Sequence, residues 1–322
     1  MLIDPTILPV LSRMKAPSLD ATSTPAERRA SIERDVEDLM STLPADPRWD
    51  AVDIEETLVR GELRDIPIRI FRPRSSARPL PAALYFFGGA FWMRSYNTPD
   101  MLAVCRQLAV DAECIVVEID YALAPEHPYP AALHEGLAVL EWMASEEGRS
   151  RGIDAGRLAL GGLSSGGGLA AGLALLARDR GAPAIRLQIL EVPAVDLALS
   201  VVRTPPEGVG EAEIAGLIEF QNFYLPNGLP DGDSYVSPAD APDLVGLPPT
   251  LIVSAEFDVL KASGDAYAAR LRAAGVPTVS VVYGGQIHFS PALSSVSPSA
   301  RAWRAQVSEA MRGLHRDPLN PL

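Results

Sequence analysis

Leu158-Ala159-Leu160-Gly161-Gly162-Leu163-Ser164-Ser165-Gly166-Gly167-Gly168-Leu169 is the stretch on which the reading of the whole chain turns. A short apolar run suited to a buried strand passes directly into a glycine-rich turn, and Gly166–Arg178 beyond it reads as a helix. Within the turn, Gly162-Leu163-Ser164-Ser165-Gly166 fits G-x-S-x-G, the pattern of a serine on a sharp strand-to-helix elbow. Such an elbow strains the serine backbone, and neighbours without Cβ let strand and helix approach closely enough to expose the hydroxyl. Placement between strand and helix lifts the pattern above an ordinary Gly/Ser loop.

Working outward, eight segments rich in β-branched residues read as strands: Val52–Val59, Ile66–Arg72, Ala82–Phe87, Cys114–Tyr121, Leu158–Leu163, Leu187–Val192, Thr250–Ala255 and Thr278–Tyr283. The first two are joined by the polar link Arg60–Asp65 and suit a hairpin. Later ones are separated by helical stretches, Ala131–Glu146, Gly166–Arg178 and Ser263–Ala274 among them. The expected fold is α/β, a mostly parallel, doubly wound eight-stranded sheet with helices on both faces. Cys114-Ile115-Val116-Val117 is apolar without alternation, as a strand covered on both faces should be.

Near the start, Thr24-Pro25-Ala26-Glu27 reads as a capping box, opening a helix whose apolar face is Ile32, Val36, Leu39 and Met40. Between Asp196 and Leu247 the strand pattern lapses, and Glu211–Leu225 places Ile214, Leu217, Ile218, Tyr224 and Leu225 on one helical face. The organisation read from this is N-terminal helices over 1–48, a core over 49–196 and 247–322, and a cap insertion over 197–246. Ser297 and Pro298 open a last helix reaching Leu314, and Asp317-Pro318 is expected to end the order.

Hydrophobic residues at 48% and charged ones at 21% suit a folded globular chain. A net charge of −13 argues against a nucleic-acid backbone or an anionic membrane as partner. No run approaches the roughly 18 apolar residues of a spanning helix, and a cytoplasmic location is expected. Cys105 and Cys114 read as buried thiols, and with four histidines and no H-E-x-x-H or paired C-x-x-C, no metal is expected.

A serine hydroxyl needs a base, and the base needs an acid to orient it and stabilise its cation. His288, in Gly284-Gly285-Gln286-Ile287-His288-Phe289 after the last strand, is the histidine late enough and well placed; His127, His134 and His315 suit structural or solvated roles. The acid should leave the preceding strand, which ends in Glu256-Phe257-Asp258; Asp258 is preferred and Glu256 is the alternative. For the oxyanion, Phe87-Gly88-Gly89-Ala90-Phe91 after the third strand offers the Gly88 and Gly89 N–H groups, joined by Ser165 N–H. Phe87, Phe91, Trp92, Leu163, Phe220, Phe223 and Tyr224 are candidate pocket walls.

Asp120-Tyr121-Ala122-Leu123-Ala124-Pro125-Glu126-His127-Pro128-Tyr129-Pro130-Ala131-Ala132 resembles the D-Y-x-L-A-P-E-x-x-x-P-A signature of the hormone-sensitive-lipase-like bacterial carboxylesterases (bacterial family IV) of the α/β-hydrolase superfamily. Ile66–Pro73, Leu247–Thr250 and Tyr267–Pro277 are similar to other landmarks of that family, and the likeness spans roughly residues 65 to 290. The resemblance implies cofactor-independent hydrolysis of small to medium uncharged carboxylic esters through an acyl-enzyme. It also implies that the N-terminal helices over 1–48 join the insertion after the sixth strand in a cap over the catalytic core.

Three departures stand out: H-G-G-G appears as Phe87-Gly88-Gly89-Ala90, G-D-S-A-G-G as Gly162-Leu163-Ser164-Ser165-Gly166-Gly167, and D-P-L-x-D as Asp258-Val259-Leu260-Lys261-Ala262. A phenyl ring at 87 can only pack, so apolar contacts must fix the loop that a histidine would hydrogen-bond. Amide or lactone hydrolysis on the same triad is one alternative. A catalytically weak ligand-binding protein on the same scaffold is another. A small-molecule ester is the expected partner, and a homodimer is left open.

Overall fold

All eight expected strands form, and they share one sheet. In the computed structural model, which describes residues 2–14, 23–74, 79–93, 96–198, 218–219 and 221–322, these are β1 (Val52–Arg60), β2 (Asp65–Pro73), β3 (Leu80–Phe86), β4 (Ile115–Ile119), β5 (Ile153–Leu163), β6 (Ile185–Glu191), β7 (Thr250–Phe257) and β8 (Thr278–Ile287). Their order is β1-β2-β4-β3-β5-β6-β7-β8. β1 and β2 form the expected antiparallel hairpin, β2 is antiparallel to β4, and every pairing from β4 onward is parallel. Every residue of β3 and β4 is buried, which explains why their sequences do not alternate.

The helices are α1 (Leu8–Leu11), α2 (Pro25–Ser41), α3 (Pro99–Ala112), α4 (Ala131–Ala144), α5 (Glu146–Ser150), α6 (Ser165–Arg180), α7 (Lys261–Ala273) and α8 (Pro298–Arg316). The capping box of α2 is reciprocal: Thr24 accepts from Glu27 N–H and the Glu27 carboxylate accepts from Thr24 N–H. The helix expected over Ala131–Glu146 stops at Ala144, because Ser145 turns extended and caps α5 by accepting from Gly148 N–H. α6 is buried from Ser165 to Ala177 on all sides, as befits a helix enclosed by the fold. Along α8, Trp303, Val307, Met311 and Leu314 make the buried stripe.

The expected loss of order at Asp317-Pro318 is not observed. The helix ends there, but the tail folds back: Pro321 is buried, Leu322 packs on the core, and its path lies so close to Gly313 that a Cβ there would strike Pro321 O. A second apolar cluster, Ile7, Val10, Leu39, Leu293 and Ala300, ties the N-terminal segment to α2 and to the residues after β8. Of the helix expected over Glu211–Leu225, 218–219 and 221–224 are helical and the rest lies outside the described residues. No helix among the described residues is long and apolar enough to cross a membrane.

Candidate active site

Ser164 sits between β5 and α6 with φ 55° and ψ −120°, a conformation L-residues rarely adopt. Its N–H donates to Glu191 O at 2.9 Å, and its carbonyl accepts from Ala194 N–H at 2.9 Å and Gly168 N–H at 3.1 Å. The flanking glycines are demanded by contact. A Cβ on Gly162 would lie 2.4 Å from Gly166 backbone atoms, and one on Gly166 would lie 2.3 Å from Phe86 O. Ser165 opens α6, where a first-turn N–H has no intrahelical acceptor.

Register brings the acid and base together. Phe257 and Ile287 are partners in the parallel β7–β8 ladder, so Asp258 and His288 are each the next residue on neighbouring strands. His288 Nδ1 lies 2.9 Å from Asp258 Oδ2, and Leu260 N–H donates to the other Asp258 oxygen at 2.9 Å. The Asp258 side chain is 1% exposed and that of His288 is 44% exposed. A carboxylate facing Nδ1 places the ring proton there and leaves Nε2 as the basic nitrogen. Withdrawal from water pulls the imidazole down, but the Asp258 charge and hydrogen bond outweigh it and hold His288 above its ordinary value.

Glu256, the alternative acid, is used elsewhere: it accepts from Gly285 N–H at 2.8 Å, in the bulge of β8 that shifts the β7–β8 register just before His288. Asp4 braces that bulge. Its N–H donates to Gly285 O at 2.9 Å, and its Oδ2 accepts from Gln286 Nε2 at 3.0 Å and Ser297 Oγ at 2.9 Å. Sequence reasoning missed Asp4 because nothing local links it to a strand bulge 281 residues away. His315 has a structural contact, Nε2 to Ala112 O at 3.1 Å, and both cysteines are buried and free.

The loop after β3 lies against the serine: a Cβ on Gly88 would be 3.1 Å from Leu163 O and 3.2 Å from Ser164 Cβ. Gly89, Ala90 and Phe91 all have positive φ, at 134°, 51° and 66°. Main-chain bonds over-determine this bend: Met93 and Trp92 N–H donate to Gly89 O at 2.8 and 3.1 Å, and Ala124 N–H to Phe91 O at 3.0 Å. Arg29 of α2 adds a fork, donating to the carbonyls of Trp92 and Ala124 and to the Glu126 carboxylate. Thus the Asp120–Ala132 signature cradles this loop.

Phe87, expected as a pocket wall, is instead fully buried and stacked on Tyr121, with ring centroids 4.2 Å apart at 17°. It presents no surface to a ligand, because the phenyl ring turns into the core and the Tyr121 hydroxyl donates to Phe87 O at 3.1 Å. Four other expected walls gather, Phe91 stacking on Tyr224 at 3.9 Å and Phe223 meeting Trp92 edge-on at 5.7 Å, but Trp92 is as fully buried as Phe87, and Tyr224 and Phe91 nearly so, which leaves Phe223 as the partly exposed ring of the four. Leu163, half-buried, meets the Gly88 backbone through its carbonyl. Phe220 lies outside the described residues.

Two open surface depressions, of about 540 and 320 Å³, lie elsewhere, one around Ile153 at the start of β5 and one around Asp179 and Tyr235, and neither contains these residues. Among the described residues no His, Cys, Asp and Glu cluster could hold a metal ion.

A family model described as alpha/beta hydrolase fold matches residues 83–291. Esterase LipI of Mycobacterium tuberculosis is 36% identical over 282 residues, covering 85% of this chain and 84% of the relative. Carboxylesterase NlhH of the same organism is 39% identical over 227 residues, 69% of this chain and 70% of its own. Among solved structures, esterase LipW from Mycobacterium marinum superposes with a TM-score of 0.83 at 31% identity, covering 98% of this chain and 96% of that one.

Proposed function

The chain belongs to the hormone-sensitive-lipase-like carboxylesterases of the α/β-hydrolase fold, and from that premise we propose that Ser164 is its nucleophile, His288 its base and Asp258 its acid. It is a carboxylic ester hydrolase, and the steps follow from the chemistry of the site. His288 Nε2 takes the Ser164 proton as Oγ attacks the ester carbonyl; Asp258 supports the imidazolium; the Gly88, Gly89 and Ser165 amides receive the oxyanion. The alcohol leaves with the proton from His288, and water repeats the sequence on the acyl-enzyme. The observation that carries this reading is the Asp258–His288 contact at 2.9 Å, taken together with the strained serine, φ 55°, at the strand-to-helix elbow.

The residues around Phe91, Trp92, Phe223 and Tyr224 join the loop after β3 to the 197–246 segment, and they support reading that segment, with residues 1–48, as a cap over a pocket for small to medium uncharged esters. We place the protein in the cytoplasm, which suits its two unpaired cysteines. Gel filtration distinguishes monomer from homodimer.

Labelling by an uncharged fluorophosphonate tests the nucleophile. Wild type should be modified at Ser164, and Ser164→Ala should escape labelling and lose ester turnover by roughly 10⁴- to 10⁶-fold with its fold intact. Absence of labelling in wild type would favour a ligand-binding scaffold. The base titrates in its neutral, active form, so kcat/KM should fall as pH drops through a midpoint above about 6.5, the ordinary imidazole value. Asp258→Asn removes both influences that raise His288 and leaves desolvation, so the midpoint should move down while turnover drops about 10⁴-fold. A mild Asp258→Asn beside a crippling Glu256→Gln would exchange the two roles.

A further inference from the structure

Beneath the elbow the fold buries an ion pair that the reaction steps do not use. Glu191 closes β6, and Arg304 of α8 donates through Nη1 to both of its carboxylate oxygens, at 2.7 and 2.8 Å. Trp303 Nε1 donates to Oε2 at 2.6 Å, and the Tyr85 hydroxyl donates to Oε1. All four side chains are fully buried. Tyr85 belongs to β3 and must cross β5 to reach β6. It does so over Gly161, where a Cβ would lie 2.7 Å from the tyrosine ring.

A buried ion pair is weak evidence for stability, since removing two charges from water costs as much as their attraction returns. Its place in the chain suggests positional work instead. The Glu191 carbonyl accepts the Ser164 N–H at 2.9 Å. The next residue, Val192, has φ 42°, an outlier for a β-branched side chain that persists only where the surroundings over-determine it. Val192 N–H is in turn tied to Val253 O of β7 at 2.7 Å. One strained residue, Ser164, therefore hangs from a peptide whose other side is also strained.

We propose that Glu191 is a positioning residue for the nucleophile: its side chain, clamped by Arg304, Trp303 and Tyr85, fixes the carbonyl from which Ser164 is suspended. The proposal rests on Ser164 being the nucleophile. Asp258 and His288 hang from β7 and β8, and the gathered aromatic rings lie on other elements, so loosening Glu191 misplaces Oγ while leaving base and binding surfaces in place.

The double variant Glu191→Leu/Arg304→Met removes both charges together and leaves no lone buried ion. It is assayed well below its own melting temperature with a short p-nitrophenyl ester and with the fluorophosphonate. Misplacement of a reacting atom predicts that kcat and the labelling rate fall together by about 10- to 100-fold. KM should stay within about twofold and the acid limb of the pH profile should not move. Tyr85→Phe, which keeps both charges and loses one hydrogen bond, should lower the same two rates about threefold. A folded double variant with unchanged kcat and labelling, whatever its melting temperature, overturns the proposal, as does a rise in KM alone. If the double variant fails to fold, Tyr85→Phe decides by the same two rates, unchanged values overturning the proposal. Ser164→Ala run in parallel separates the failures: labelling or turnover in that variant sinks the nucleophile assignment itself, whereas its silence beside an unaffected Glu191 variant sinks only the positioning role.

Discussion

The elbow at 162–168 and the loop at 87–93 face each other where Gly88 meets Ser164, and both hold non-glycine residues at positive φ. The elbow is held by backbone packed against backbone: Gly162 against Gly166, and Gly166 against the carbonyls of Phe86 and Phe87. The loop is held by separate hydrogen bonds: Met93 and Trp92 N–H to Gly89 O, Ala124 N–H to Phe91 O, and the side chains of Arg29 and Tyr121 from far along the chain. Steric exclusion has no graded response, whereas a set of separate ties weakens one tie at a time. The elbow should therefore fail abruptly under substitution and the loop gradually.

Gly166→Ala attacks the elbow where a Cβ would lie 2.3 Å from Phe86 O and 2.4 Å from Phe87 O. It should cost at least about 100-fold in kcat/KM, more than about 2.7 kcal/mol. A steady-state assay showing a loss under tenfold would mean that the elbow yields as readily as the loop. Phe87→His challenges the stack of the loop on Tyr121. Because the oxyanion donors are main-chain amides, the change in kcat/KM should stay below about 30-fold, roughly 2 kcal/mol, in either direction. An inert wild type made efficient by this histidine would show that the stacked loop is disabled. The smallest effect is expected from Arg29→Met, which frees the carbonyls of Trp92 and Ala124 but leaves the other ties in place. It should lower kcat/KM about fivefold, near 1 kcal/mol. A loss as large as that of Gly166→Ala would make this one fork the determinant of the loop and erase the contrast.

The same contrast governs what the sequence disclosed. All eight strands were legible from apolar runs, rich in β-branched residues in β1, β2, β4, β7 and β8 but made of Leu, Ala and aromatic residues in β3 and of Leu, Ala and Gly in β5, and the elbow was legible because G-x-S-x-G sets its glycines a few positions apart. α3 went unremarked: Thr98 precedes it without a side-chain cap, and its buried residues cover so much of its surface that no narrow stripe stands out. Asp258 was preferred over Glu256 from position alone, and the register Phe257 to Ile287 supplies the physical reason that it is the carboxylate beside His288. Phe87 and Trp92, both expected as walls, turn out fully buried, because sequence gives a ring's identity and not the side to which it turns. Glu191 was invisible, since its partners Tyr85, Trp303 and Arg304 lie 106, 112 and 113 residues away.

Asp258 and His288 meet because each follows a paired residue on adjacent parallel strands, not because of anything in the 259–277 stretch that joins the two strands. The ladder acts as a ruler laid across both strands, and the connection only has to return the chain to the right starting mark. α7 could gain or lose a turn, or be exchanged for a helix from a relative, and the two side chains would still be delivered face to face so long as the strand pairing is kept. For anyone recombining segments between such enzymes, the seams to respect lie in the hydrogen-bonded edges of β7 and β8, and the helix between them is bound by other terms, the burial of Tyr267, Ala268 and Leu271 and the Arg270 bonds to Ala239 and Ala241.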